Sequence, residues 1–167
     1  MVSRKSLLAP LAALAALLVS NPALADLAVG AKAPDFATQG ALAGKTFDVS
    51  LKKLLKQGPV VLYFYPKAFT KGCTLEAHAF AEATDDFKAA GATVIGMSND
   101  DVPTLQKFST EHCRDKFAVA AASPEVIKAY DVALKREGIP AGLANRTSYV
   151  IGRNGKIALA YSNMDFS

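Results

Sequence analysis

Six consecutive residues, Val60-Val61-Leu62-Tyr63-Phe64-Tyr65, are apolar, β-branched or aromatic with no polar break. A strand with one wet face alternates, so an unbroken run predicts a strand buried on both faces of a sheet. That element commits the chain to an α/β architecture: a mixed central sheet with helices on both faces. Pro66 ends the run and fixes the backbone where the chain turns into a loop. The loop carries one of only two cysteines, Cys73, to the start of a helical pattern. Unpaired N–H groups and the positive dipole end of a helix favour thiolate over thiol there, so Cys73 is predicted to be reactive.

The remaining pattern fits around that strand. Gly30 to Phe36 reads as an irregular opening and Gly44 to Val49 as a short hairpin strand. Ser50 caps a helix through Lys56, which Gly58-Pro59 stops. Cys73 to Ala89 is predicted helical, with Phe80, Ala83 and Phe87 on one face and Gly91 at its end. Thr93 to Met97 reads as a second buried strand. Asp101 to about Cys113 reads as a helix with Leu105 and Phe108 inward. Phe117 to Ala121 is a third strand, and Ser123-Pro124 opens a helix through Tyr130. Ser148 to Ile151 and Ile157 to Tyr161 flank Gly152-Arg153-Asn154-Gly155, whose Asn-Gly pair marks a hairpin turn. The chain stops soon after this last strand, where a closing helix is expected, so the sequence reads as incomplete.

Residues 1–25 have the three parts of a secretory signal: Arg4 and Lys5, an apolar stretch from Leu7 to Val19, and Ala23-Leu24-Ala25. Cleavage is expected between Ala25 and Asp26, leaving residues 26–167 as one domain with one core. As an uncleaved anchor the stretch is too short, is interrupted by Pro10 and Pro22, and lacks a stop-transfer segment after it. The mature form is thus expected in the periplasm or secreted, with no membrane attachment. Net charge is +4, Arg4 and Lys5 contribute half of it, and the other Lys and Arg are scattered. That distribution argues against a nucleic-acid surface. Export places both cysteines in an oxidising compartment, where a single disulfide persists.

Thr70, three residues before Cys73, can set a hydroxyl beside the sulfur that both accepts and donates hydrogen bonds. Glu76 is read as capping the first helical turn. Together with Pro66 these residues describe a thiolate in a small polar pocket whose backbone N–H groups face an incoming electronegative atom. An inert apolar cysteine is the usual alternative for a lone Cys; the polar neighbours and the helix start argue against it. Tyr65, Phe69 and Phe80 read as pocket walls and core.

The stretch Pro66-Lys67-Ala68-Phe69-Thr70-Lys71-Gly72-Cys73-Thr74-Leu75-Glu76 resembles the active-site loop of peroxiredoxins of the bacterioferritin-comigratory (Q-type) subgroup, in the alkyl hydroperoxide reductase–thiol-specific antioxidant family. Gly30-Ala31-Lys32-Ala33-Pro34-Asp35-Phe36 resembles that family's amino-terminal segment. Arg146-Thr147-Ser148-Tyr149-Val150-Ile151 with Gly155-Lys156-Ile157 resembles its distal arginine strand and hairpin. The resemblance runs from about Leu27 to Tyr161. It implies a thioredoxin-like fold and reduction of hydroperoxides without metal or flavin. Cys73 would be the peroxidatic nucleophile, oxidised to a sulfenic acid. Thr70 would hold the peroxide, Pro66 would shield the pocket, and Arg146 would stabilise the thiolate and polarise the O–O bond. A thioredoxin-like or small-thiol electron donor and a monomer or weak dimer are expected.

Many Q-type members carry a second cysteine five residues after the first. That position is His78 here, so the short disulfide cannot form. Cys113 is the one other thiol, and some family members place a resolving cysteine on that helix. Three readings stay open: Cys113 resolves Cys73, Cys113 is a bystander to a one-cysteine cycle, or it bridges to another subunit. Arg114 is read as lowering the Cys113 pKa. The order Cys-x4-His … His-Cys of Cys73, His78, His112 and Cys113 does not fit zinc-finger loops, so no metal is expected. His78 reads as a helix-face residue that tunes the thiolate. Disulfide exchange, the alternative enzyme class, normally needs a Cys-x-x-Cys pair that Lys71-Gly72-Cys73-Thr74 lacks. A redox-sensing module without turnover is the non-enzymatic alternative.

Overall fold

A computed structural model describes residues 27–165; the signal read at residues 1–25 lies outside them. The chain runs through strands β1 (Ala37–Leu42) and β2 (Lys45–Ser50), helix α1 (Leu51–Gln57), β3 (Val60–Phe64) and α2 (Lys71–Ala89). It continues through β4 (Thr93–Ser98), α3 (Val102–Glu111), β5 (Ala118–Ala121), α4 (Pro124–Ala129), β6 (Thr147–Ile151) and β7 (Ile157–Ser162). Seven strands form one mixed sheet in the order β2-β1-β5-β4-β3-β6-β7.

The apolar run Val60–Tyr65 forms β3 and the residue after it, and every residue of it is buried. Successive side chains point to opposite faces, which is why both parities must be apolar. Val60, Leu62 and Phe64 join a core with Leu51 of α1, Ile127 of α4, Tyr130 and Tyr149. Val61, Tyr63 and the following Tyr65 join a second core with Cys73 and Ala77 of α2, Leu105 and Phe108 of α3, and Cys113. Helices α1 and α4 therefore cover one face of the sheet, and α2 and α3 the other.

Strand β1 was not legible. Its Ala-Thr-Gln-Gly-Ala-Leu sequence has neither alternation nor β-branched density, yet it pairs antiparallel with both β2 and β5. Gly40 is required there, because a Cβ would lie 2.7 Å from the Val119 carbonyl oxygen and 2.8 Å from Val49 Cγ2. In α2 the buried row is Cys73, Glu76, Ala77, Ala81 and Thr84, whereas Phe80, Ala83 and Phe87 are only half-buried. Small residues let α2 lie close over the strands, and the aromatic rings flank it: Phe80 stacks on Tyr63 at 4.2 Å between centroids.

Register brings the ends of β3 and β6 together. The two strands are antiparallel with Phe64 opposite Thr147. Arg146, just before β6, therefore lies beside the point where the chain leaves β3 towards Cys73.

Candidate active site

Helix α2 begins at Lys71, so Cys73 sits in its first turn, where backbone N–H groups lack intrahelical acceptors. Thr70 is the N-cap, but its side chain makes no capping bond. Its hydroxyl donates instead to the Lys67 carbonyl oxygen at 2.9 Å, which uses the donor and leaves the oxygen lone pairs. Phe69 has φ of 63°, the left-handed region that a bulky residue rarely adopts, so the loop is held against local strain.

Asp100 holds it. One carboxylate oxygen accepts from Ala68 N at 2.7 Å and from Ser98 Oγ at 2.8 Å, tying the loop to the carboxyl end of β4. The sequence reading missed Asp100. Its signal was position: an acidic residue two places beyond a buried parallel strand, at the end of the sheet where such folds assemble their sites.

Cys73 and Arg146, distant in the sequence, are in contact. Arg146 Nη2 donates to Cys73 Sγ at 3.4 Å, and both residues are buried. Nη1 of the same guanidinium makes a close ion pair with Glu76 Oε2. One planar cation thus bridges a sulfur and a carboxylate, an arrangement its fork of donors suits. Gly72 makes room for it: a Cβ there would lie 3.0 Å from Nη2.

Glu76 is not a helix cap. The helix starts two residues before Cys73, so Glu76 falls beyond the first turn, on the same face as Cys73 and directed inward. Burial pushes its carboxyl up to about 7, and the Arg146 charge and hydrogen bond hold it from rising further. Pro66 is half-buried at the mouth of the loop, Tyr65 is fully buried, and Phe69 is exposed. Phe80 lines a cavity of about 560 Å³ whose walls include Glu76, Arg146 and Tyr161. A second cavity of about 450 Å³ lies along Lys67, Ala68, Phe69 and Asp100.

Cys113 follows the end of α3, fully buried beside Phe108 and Phe117 in the apolar cluster that also holds Cys73. Neither cysteine is in a disulfide. Arg114 does not activate Cys113. Its guanidinium turns outward to Glu82 at 3.4 Å, while burial, aided by Asp115, pushes the Cys113 thiol well up. His78 does not face Cys73 either. It meets His112, with Nε2 3.4 Å from His112 Nδ1, and that pairing was not foreseen because α3 was expected to continue through His112. Burial and the His78 ring lower the His112 pKa. Among the described residues, no group of three or more His, Cys, Asp or Glu side chains is placed to hold a metal ion.

Comparison with known proteins places the chain in a family. Residues 29–160 match the AhpC/TSA family. The chloroplastic peroxiredoxin Q of Populus jackii is 36% identical over 149 residues, 87% of this chain and 65% of that protein. The chain spans about half to two thirds of the length of the curated relatives it matches. Among solved structures, the peroxidoxin BcpB of Mycobacterium tuberculosis superposes with a TM-score of 0.72 at 30% identity, over 83% of this chain and 87% of its own. A cysteine-to-serine mutant of Xylella fastidiosa PrxQ superposes with a TM-score of 0.73 at 23% identity, over 84% and 89% of the two chains, a likeness of fold. The architecture is thioredoxin-like, as the resemblance implied. With residues 29–160 matched, from before β1 into β7, the chain belongs to the AhpC/TSA family, among relatives named peroxiredoxin Q.

Proposed function

We propose that this protein is a thiol-dependent peroxidase that reduces hydrogen peroxide and small organic hydroperoxides. The observation that carries the reading is the buried Arg146 guanidinium bridging Cys73 Sγ and Glu76. The Cys73 thiolate attacks one peroxide oxygen and forms an S–O bond as the O–O bond breaks. The departing oxygen takes the electron pair and a proton, leaving as water or alcohol. Arg146 faces the charge that moves from sulfur to the departing oxygen, which is where a fixed cation lowers the barrier. Thr70, with its hydroxyl proton committed to Lys67, offers lone pairs to the peroxide O–H. Pro66 keeps bulk water from the sulfur.

The sulfenic acid is then resolved by Cys113, whose sulfur displaces hydroxide from Cys73 to give an internal disulfide and water. A thioredoxin-like dithiol, or two equivalents of a small thiol, reduces that bond and is itself oxidised to a disulfide. The deep burial of Cys113 favours a second reading, in which the donor reduces the Cys73 sulfenic acid directly. The leader pattern at residues 1–25 supports export to the periplasm or outside, and the protein acts as a monomer or weak dimer.

A peroxidase assay of wild type, Cys73→Ser and Cys113→Ser, with a small thiol and with thioredoxin, tests both readings. Cys73→Ser is expected to be inactive with either donor. Cys113→Ser is expected to turn over with the small thiol alone. Full activity of Cys113→Ser with thioredoxin would establish the one-cysteine cycle, and residual activity of Cys73→Ser would sink the assignment.

A further inference from the structure

His78 and His112 come from different segments and meet ring nitrogen to ring nitrogen. His78 lies on α2, five residues past Cys73; His112 caps α3 immediately before Cys113. His78 Nε2 and His112 Nδ1 are 3.4 Å apart, with ring centroids at 5.5 Å and planes at 44°. A tetrahedral zinc-type ion with metal–nitrogen bonds of 2.0–2.1 Å holds two of its nitrogens about 3.4 Å apart. The separation matches the bite of such an ion, in which each metal–nitrogen bond lies about 35° off the N···N line. The protons would reside on His78 Nδ1 and His112 Nε2.

The His112 ring is fixed by Phe69 at 5.3 Å and Phe108 at 5.4 Å, which limits the ordering that binding would require. Both histidines are half-buried, so water can complete the coordination sphere. Glu111 adjoins His112 in the chain and adds negative charge near the pair. Imidazole nitrogens suit zinc and copper ions.

We propose that His78 and His112 form a two-histidine chelate for a divalent transition-metal ion of the zinc class, and that a bound ion ties α2 to the segment carrying Cys113. The binding half stands on geometry alone. The tying half rests on the peroxidase reading, in which the segment carrying Cys73 and the segment carrying Cys113, both buried and unbonded here, move to form a disulfide. An ion across the two histidines opposes both movements and prolongs the life of the sulfenic acid.

The test uses zinc ions and the full chain carrying Cys73→Ser and Cys113→Ser, which removes thiol ligands. One ion is expected to bind, with a dissociation constant on the order of micromolar, as befits two protein ligands. Zinc should raise the thermal midpoint. Adding His78→Ala or His112→Ala should weaken binding at least about tenfold and abolish the shift. Should the cysteine variants misfold, cobalt absorption of the reduced wild-type chain supplies the same readout. A ligand-field band without thiolate charge transfer supports the chelate. Undiminished binding in either histidine variant, or no saturable binding, overturns it and leaves a hydrogen-bonded neutral pair. In wild type, zinc should slow peroxide-driven disulfide formation about fivefold or more, and not in His112→Ala. Unchanged rates overturn the tying half. If no internal disulfide forms with or without zinc, the resolving step proposed for Cys113 fails together with the tying half, while the chelate is decided by binding.

Discussion

At the scale of single residues, one Arg146 guanidinium serves two acceptors, and the proposed chemistry rests on that geometry. A lysine is a point charge and cannot donate in parallel to both. Arg146→Lys is therefore expected to lower kcat/KM for peroxide about 10²-fold, with the KM for the thiol donor little changed. A loss confined to the donor KM would contradict that role. Glu76 supplies an independent check through stability. Its carboxyl is raised from 4.5 to about 7, so the folded chain binds that proton more tightly than the unfolded chain. Its contribution is complete below about pH 4.5 and is lost as pH rises to about 7, a change of about 3 kcal/mol. His112 works in the opposite sense, since burial favours its neutral ring, so the comparison must be made against Glu76→Gln. Denaturant unfolding of the reduced protein should show wild type losing stability relative to Glu76→Gln across that window, and a constant difference would contradict it. Cys73 was legible because a helix start is a local signal, whereas Arg146 was singled out by the family resemblance at a strand start. The partner of Glu76 was not legible, because only the fold brings Arg146 to it, and the turn of the Thr70 hydroxyl back to Lys67 is a detail of loop geometry that residue type does not reveal.

At the scale of elements, the first turn of α2 carries the candidate site and Gly72 leaves room there for the Arg146 guanidinium. Alanine is the better helix former by about 1 kcal/mol, yet its Cβ would meet Arg146 Nη2 at 3.0 Å. Gly72→Ala is expected to leave the thermal midpoint at or above that of wild type while the peroxide rate falls several-fold. Equal rates would mean that the close approach is dispensable. Strands β3, β4 and β5 were readable because burial on both faces enforces an apolar run. Strand β1 was not, since its Gly40 answers to Val119 and Val49 on neighbouring strands rather than to anything in its own sequence. The end of α3 was placed beyond His112, and that small displacement hid the meeting of His112 with His78. Asp100 went unread for a related reason: its value lies in bonds to Ala68 and Ser98 that only the fold assembles.

At the scale of the whole molecule, both cysteines lie on one face of the sheet, in the core that α2 and α3 share. On the proposed resolving reading, these two buried and unbonded thiols move to join, which loosens that core. Hydrogen exchange is expected to quicken in the first turns of α2 and around Cys113 on peroxide treatment of wild type, and not of Cys113→Ser. Equal protection in the two would favour the one-cysteine cycle. The fold class followed from the sequence because β3 and its neighbours are so apolar, whereas the path between the thiols did not, since it depends on how tightly this core packs. The central claim is that Arg146 makes Cys73 the peroxide-reducing thiol. It is tested most directly by the second-order rate of hydrogen peroxide with Cys73 in reduced Cys113→Ser protein, measured with and without Arg146→Met. The rate is expected to fall about 10²-fold or more when the guanidinium is removed; equal rates would contradict the account.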